Sequence, residues 1–356
     1  MDQNFETQLA NLELALYERA SRWRTVNDWP AESLLSCGQA GVLAGLAGMS
    51  GWSALRQVQT LIGLARADLV TTFIITQHLG ALKRLIASDR ASEQADIIEA
   101  LSSGRSIGSV GISHLTTSRR HLDRPVVTAS PADGGLTLDG CIPWVTGASQ
   151  VDWIVVGATL PDATEVLALV DANTAGLQPG PGAKMIAMEA SCTDAVHLNS
   201  VFVPWLSILA GPELNVLSGG SRAVKKSSGA GGLQTSALAL GLSFAALRFL
   251  EDEATRRDNL LGIVEKFSAE HTQLRQRIES ATEADSAVDL AELRTQANQL
   301  VQRTTAAAMT TAKGAGLMVD HPVGRYCQQA FFFLVWSCPQ PVADAHLCEM
   351  AGLMDA

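Results

Sequence analysis

The apolar positions of this chain change period twice. Phe5, Leu9, Leu12 and Leu16 recur at spacings of four, three and four, which is one face of a helix. Asp28-Trp29-Pro30 breaks that stripe, and a second helix starts at Pro30 and runs to Gly41. Leu55, Val58, Leu61 and Ile62 mark a third helix. Residues 68–86 are apolar nearly all round, the pattern of a buried helix. Residues 92–101 make a short amphipathic helix that stops before Gly104.

Near Arg105 the texture becomes that of short strands punctuated by Gly, Pro, Asn and Asp. Strands are expected at 106–113, 125–130, 135–139, 143–146, 152–158, 165–171 and 195–204. A turn is expected at Asp139-Gly140, and residues 206–233 read as a Gly-rich loop carrying Arg222, Lys225 and Lys226. Helical periodicity then returns over about 234–257, 259–283, 288–315, 321–336 and 341–353. The expected fold is α+β and mostly α. It has an N-terminal helical domain (1–104), a barrel- or sandwich-like β-domain (105–212) and a C-terminal helical bundle (213–356).

Composition narrows the function classes. The chain has 356 residues, 47% of them hydrophobic, enough for a large core. Its net charge of −10 argues against nucleic acid as the main partner. The six cysteines lie far apart with no zinc spacing, as expected of reduced thiols in a cytoplasmic protein with no metal site. The start of the chain lacks the basic segment of a signal peptide, and the apolar run at 238–250 is short of the roughly 20 residues that span a bilayer. No membrane insertion is expected.

Residues 139–158 carry the most specific chemistry. Trp144 and Thr146 are two residues apart, so on a regular strand they share a face. An aromatic plane beside a hydroxyl suits a flat polar heterocycle such as a flavin, although a buried Trp beside an ordinary strand Thr is the commoner use of this pattern. His78 reads as a core histidine. Glycine-rich dinucleotide and P-loop motifs, the GxSxG elbow and HExxH are absent.

The stretch Gly140, Trp144, Val145, Thr146 and Val151-Asp152 resembles the flavin-contacting strand of the acyl-CoA dehydrogenase family. Further motifs follow in the family's order. Asp68 to Leu82, with His78, is similar to the family's buried helix. Gly108 to His114 stands where the family has a Thr that contacts the flavin, and Ser113 matches that Thr. Ser118 takes the place of a phosphate contact, without the family's glycines. Lys313-Gly314-Ala315-Gly316, followed by His321-Pro322, resembles the Gly turn and helix restart where family flavins bind across a subunit interface. The resemblance implies FAD, with FMN the alternative, held by Ser113, Trp144, Val145, Thr146, Gly314 and Gly316. It also implies an acyl-CoA-like small-molecule substrate and a homodimer or homotetramer.

The family's chemistry removes an α-proton with a carboxylate while the β-hydride passes to the flavin. Here the usual base positions hold Ser337 and Gln234, and neither is a carboxylate. The Arg–x–x–Phe–Gly element has only a loose counterpart in residues 257–262. Three readings follow. In one, the chain is an acyl-CoA dehydrogenase-like enzyme with its base elsewhere, Asp344 and Glu349 being the nearest candidates. In another, it is a flavin-dependent monooxygenase of the same fold, which needs no such base. In the third, it is a non-catalytic homologue serving as a binding or assembly subunit.

Overall fold

The computed structural model describes residues 3–115, 125–219, 232–283, 286–336 and 338–353. Ser118, Arg222, Lys225, Lys226 and Ser337 lie outside the described residues.

The first block is helical: α1 (Gln3–Arg19), α2 (Ala31–Gln39), α3 (Val42–Ala47), α4 (Ala54–Ala67), α5 (Leu69–Ala87) and α6 (Ala95–Ser102). Local chemistry sets the starts. The Ser53 hydroxyl accepts from the Arg56 N–H at 3.2 Å to cap α4. Asp68 accepts from the Thr71 N–H at 3.1 Å to cap α5. The all-round apolar pattern of α5 matches its burial, which includes both Phe73 and His78.

The strand block comprises β1 (Gly108–Gly111), β2 (Val127–Ala132), β3 (Gly135–Val145), β4 (Trp153–Thr159), β5 (Glu165–Asp171), β6 (Leu177–Pro179), β7 (Asp194–Pro204) and β8 (Ile208–Glu213). They form one mixed sheet of order β6-β7-β3-β2-β4-β5-β8, with β1 paired in parallel to β4. The barrel- or sandwich-like expectation therefore resolves, among the described residues, into a single sheet. Ile154, Val156 and Ala158 join one apolar cluster, while Val155 joins a second with Ala81, Leu82, Leu85 and Leu101. Burial of both faces explains why β4 and β5 read as continuous apolar runs.

Three expectations fail here. The segments 135–139 and 143–146 are one 11-residue strand rather than two. Gly140 does not turn the chain: its φ of +135° absorbs a register shift against β7 between Leu138 and Gly140. A Cβ at that position would lie 2.2 Å from the Val126 carbonyl oxygen, so only glycine fits. The supposed loop after 206 also begins with structure, because β8 pairs with β5.

The third block contains α7 (Val216–Gly219), α8 (Gly232–Ala254), α9 (Leu261–Ser280), α10 (Leu290–Ala312), α11 (Pro322–Val335) and α12 (Gln340–Met350). At 23 residues, α8 is the helix expected over about 234–257, and although its apolar run at 238–250 is short, the helix as a whole is long and apolar enough to cross a membrane. Here it is a core helix, with most of its apolar window buried in the protein. It packs on α4, α9 and α10. Asp289 caps α10 by accepting from the Ala291 N–H at 2.8 Å. His321 caps α11, with Pro322 in its first turn.

Candidate functional site

The end of β3 collects most of the sequence-marked residues. A second register shift against β7, between Ile142 and Val145, breaks the strict alternation of the strand. Ile142 and Val145 are both fully buried, while Trp144 keeps 53% of its surface exposed. The strand stops at Val145, and Thr146 opens the turn through Gly147, whose φ is +69°. Trp144 and Thr146 are therefore not a regular i, i+2 pair on one strand face: Thr146 is only 6% exposed. The bulge, invisible in the sequence pattern, is the reason.

The Thr146 hydroxyl ends a chain of hydroxyl groups. Thr193 donates to Thr146 Oγ1 at 3.3 Å, and Ser191 Oγ lies 2.8 Å from Thr193 Oγ1. With Thr193 donating to Thr146, Ser191 must donate to Thr193. Thr146 accepts in that chain, so its own proton is available to an acceptor outside it. The backbone locks this geometry. Gly147 N–H donates to Ser191 O at 2.8 Å, and Ala148 N–H donates to Cys192 O at 3.0 Å. Sequence reading missed Ser191 and Thr193. They sit some forty-five residues further along the chain, and only the β3–β7 pairing brings them to Thr146.

Ser113 belongs to the same neighbourhood. It is exposed in a 3-10 turn just after β1. Gly111 at the end of β1 lies so close to β3 that a Cβ there would meet Ile142 at 2.9 Å and Val145 at 3.4 Å. Val145 faces the core with its side chain, so it can offer a ligand only backbone. The site thus presents an open indole face, an available hydroxyl and the exposed Ser113.

Gly314 and Gly316 lie elsewhere, in the 3-10 turn Lys313–Leu317 that packs on α10 and α11. Gly314 has open space where a Cβ would be, whereas Gly316 is buried against Met309. The residue that ends α10 is Lys313, with φ +54° and ψ −142°, a conformation that favours glycine. Leu317, Met318 and Val319 follow it, all exposed.

The carboxylate inventory matters for the chemistry. Gln234, one of the two expected base positions, lies half-buried in the first turn of α8. Asp344 is exposed and accepts from Gln340 Nε2 at 2.7 Å, and Glu349 lies 3.6 Å from His346. Asp68 is the one buried carboxylate among the described residues. Burial pushes its carboxyl above the usual carboxylate range, and bonds from Thr71 and Trp23, with the Arg325 charge, oppose that rise. Trp23 Nε1 donates to it at 2.6 Å, which ties the α1–α2 connection to the start of α5. Its partners make Asp68 a structural cap.

His78 is fully buried. Its Nδ1 accepts from the Gly108 N–H at 3.1 Å, so Nε2 carries the ring hydrogen. Burial pushes the imidazole down to about 4, so it is neutral at ordinary pH. That is the core histidine the sequence suggested, and it anchors α5 to β1.

No family model matches this chain, and no curated relative matches it. Solved structures do. A glutaryl-coenzyme A dehydrogenase in complex with glutaryl-CoA superposes with a TM-score of 0.81 at 18% identity, covering 100% of this chain and 97% of the other. Butyryl-CoA dehydrogenase from Megasphaera elsdenii gives 0.79 at 16% identity, with 99% of each chain covered. PigA with FAD and proline gives 0.76 at 17% identity, covering 99% of this chain and 100% of the other. The fold along the whole chain is that of the acyl-CoA dehydrogenases.

Proposed function

We propose that this protein is a flavin-dependent oxidoreductase that binds FAD and acts on an acyl-thioester-like small molecule. The observation that carries the proposal is the end of β3. A half-exposed Trp144 lies two residues before Thr146, whose hydroxyl proton is left available by the Ser191–Thr193 chain. An open aromatic face next to an oriented donor fits a flat ring that has acceptors at its edge. The full-length fold likeness supports the same reading.

In this account Trp144 covers one face of the ring and Thr146 donates at its edge. Thr193 and Ser191 hold the Thr146 hydroxyl in its accepting role toward the protein. Ser113 and the backbone at Val145 complete the contact. The turn with Gly314 and Gly316 lies on α10 and α11 and would meet the diphosphate end of a flavin bound to a second copy of the chain in a homodimer or homotetramer. A flavin bound there would supply the hydride-accepting centre.

Gln234 favours a second reading within the same class. An amide cannot take an α-proton, and Ser337 is equally unsuited by its chemistry. A flavin-dependent monooxygenase of this fold has no need of that base. The two readings separate on anaerobic mixing with acyl-CoA. Bleaching of bound flavin supports dehydrogenation. No bleaching, together with oxygen uptake when NADH and a separate reductase are supplied, supports monooxygenation. A protein that takes up no flavin overturns both.

A further inference from the structure

The connection between α1 and α2 touches all three blocks of the fold. Trp23 Nε1 donates to Asp68 at the start of α5. Arg24 pairs with Asp320 at 2.6 Å, in the turn just before α11. Val26 and Trp29 lie against the segments that adjoin Thr146. A Cβ on Gly147 would lie 2.8 Å from Trp29 Cη2, so the indole rests on the glycine directly after Thr146. A Cβ on Gly182 would lie 2.6 Å from Val26 Cγ1, and the Cys192 thiol donates to the Val26 carbonyl at 3.1 Å.

The connection is stiff within itself and held unevenly. Asp28 accepts from the Thr25 N–H and the Thr25 hydroxyl, both at 2.8 Å. The Asp28 N–H donates back to Thr25 O at 2.9 Å, which closes a tight turn. The Arg24–Asp320 pair is exposed and adds little. The hold therefore falls to the Trp23 bond onto a buried carboxylate and to the packing of Val26 and Trp29.

What they hold carries backbone strain. Met188 and Cys192 flank the 3-10 turn Glu189–Ser191, and both lie in the left-handed region, with φ of +60° and +48°. Side chains resist that conformation, and it persists where the surroundings enforce it. Between them sits Ser191, the first hydroxyl of the chain that ends at Thr146. Its carbonyl and that of Cys192 accept from the Gly147 and Ala148 N–H groups. Val26 bears on the first of these segments and Trp29 on the second.

We propose that residues 23–29 form a strap whose docking on Gly147 and Cys192 fixes the donor geometry of Thr146, with Trp29 as a positioning residue. Trp29 acts through Gly147 and needs no contact with the ligand. That the ligand is FAD rests on the flavin reading above. Coupling of this kind is reciprocal: if docking favours the ring, a bound ring favours docking by the same factor. Cys192 reports the docked state. It is fully buried, and the Val26 carbonyl accepts from its thiol. Burial, with the Asp28 and Glu189 charges, pushes that thiol up to about 11. Asp28 belongs to the strap, so lifting the strap removes the cover and one of those charges together.

The test treats the full-length protein with iodoacetamide under native conditions and reads Cys192 and Cys37 separately by peptide mass spectrometry. Cys37 in α2 is equally buried and reports general loosening. Cys192 should label about tenfold faster in Trp29→Ala than in wild type, with Cys37 unchanged. Trp29→Phe should return close to the wild-type rate. FAD should slow Cys192 labelling in the wild type and bind about tenfold more weakly to Trp29→Ala. Equal Cys192 labelling in wild type and Trp29→Ala overturns the strap, as does a rise that Cys37 shares. FAD that binds the wild type without slowing Cys192 overturns it as well, and that measurement needs no variant to fold. A wild type that takes up no FAD overturns the flavin reading instead, and the Cys192 comparison still decides the strap.

Discussion

Thr193 donates its hydroxyl to Thr146 across the β3–β7 boundary at 3.3 Å, so the Thr146 proton has nowhere to go within that chain. The orientation of one hydroxyl is thereby set by a residue that no ligand need touch. Thr146→Val should weaken FAD binding about tenfold, the worth of one hydrogen bond to a polar ring edge. Thr193→Val should weaken it less, by freeing the Thr146 hydroxyl to rotate. Quenching of FAD fluorescence on titration measures both, and equal affinities across wild type and the two variants would remove Thr146 from the site.

Trp144 separates binding from stability. Its ring is more than half exposed and contributes little to the core. Trp144→Ala should change unfolding free energy by no more than about 0.5 kcal/mol, as surface substitutions do. The same change should cost FAD affinity heavily, and Trp144→Phe should recover much of it. Urea unfolding and flavin titration on the same samples give the comparison. A large stability loss would make Trp144 a core residue instead.

Lys313 closes α10 in a conformation that a side chain resists, with φ +54° and ψ −142°. Lys313→Gly should therefore stabilise the protein by roughly 1–3 kcal/mol, the strain of such a backbone. Lys313→Ala should not, since alanine meets the same restriction. Urea unfolding distinguishes the two, and equal effects would show that the side chain, not the backbone, matters.

His78 and His271 make stability depend on acid. Burial lowers each imidazole to about 4, below the ordinary value of 6.5. Between those values the unfolded chain binds more protons than the folded one. Stability is therefore full above pH 6.5 and is lost as pH falls through 4. Each histidine can contribute about 3 kcal/mol to that loss. His78→Gln keeps an acceptor for the Gly108 N–H and should flatten the dependence by about half between these values. Urea midpoints at several pH values test this, and an unchanged slope would contradict it.

Much of this fold was legible in sequence because period encodes face. Leu12 and Leu16 of the α1 stripe, Val58, Leu61 and Ile62 of the α4 stripe and the all-round apolar α5 are buried as their pattern predicts, while Leu55 is exposed, and β5 is found at residues 165–171 as expected. Failures have particular causes. The bulges in β3 carry no composition signal, so Gly140 read as a turn and Trp144 and Thr146 as a regular pair. β6 has three residues, and β8 includes Gly211 and Pro212, too little pattern for either to stand out. Ser191 and Thr193 reach Thr146 only through long-range pairing. Arg294 sits in a helix where a charged residue ordinarily faces solvent, and its burial is set by packing against α11. In sequence Lys313 reads as the first residue of the Gly turn, where a side chain signals no strain, yet it holds the strained conformation itself.

The central claim is that the end of β3 and the turn after α10 hold a flavin. Titration of FAD into the purified wild-type protein, followed by gel filtration and a visible absorption spectrum, tests it most directly. The account predicts about one FAD per chain that co-elutes with the protein and is lost in Trp144→Ala. A wild-type protein that elutes colourless after incubation with FAD, and likewise with FMN, would contradict it.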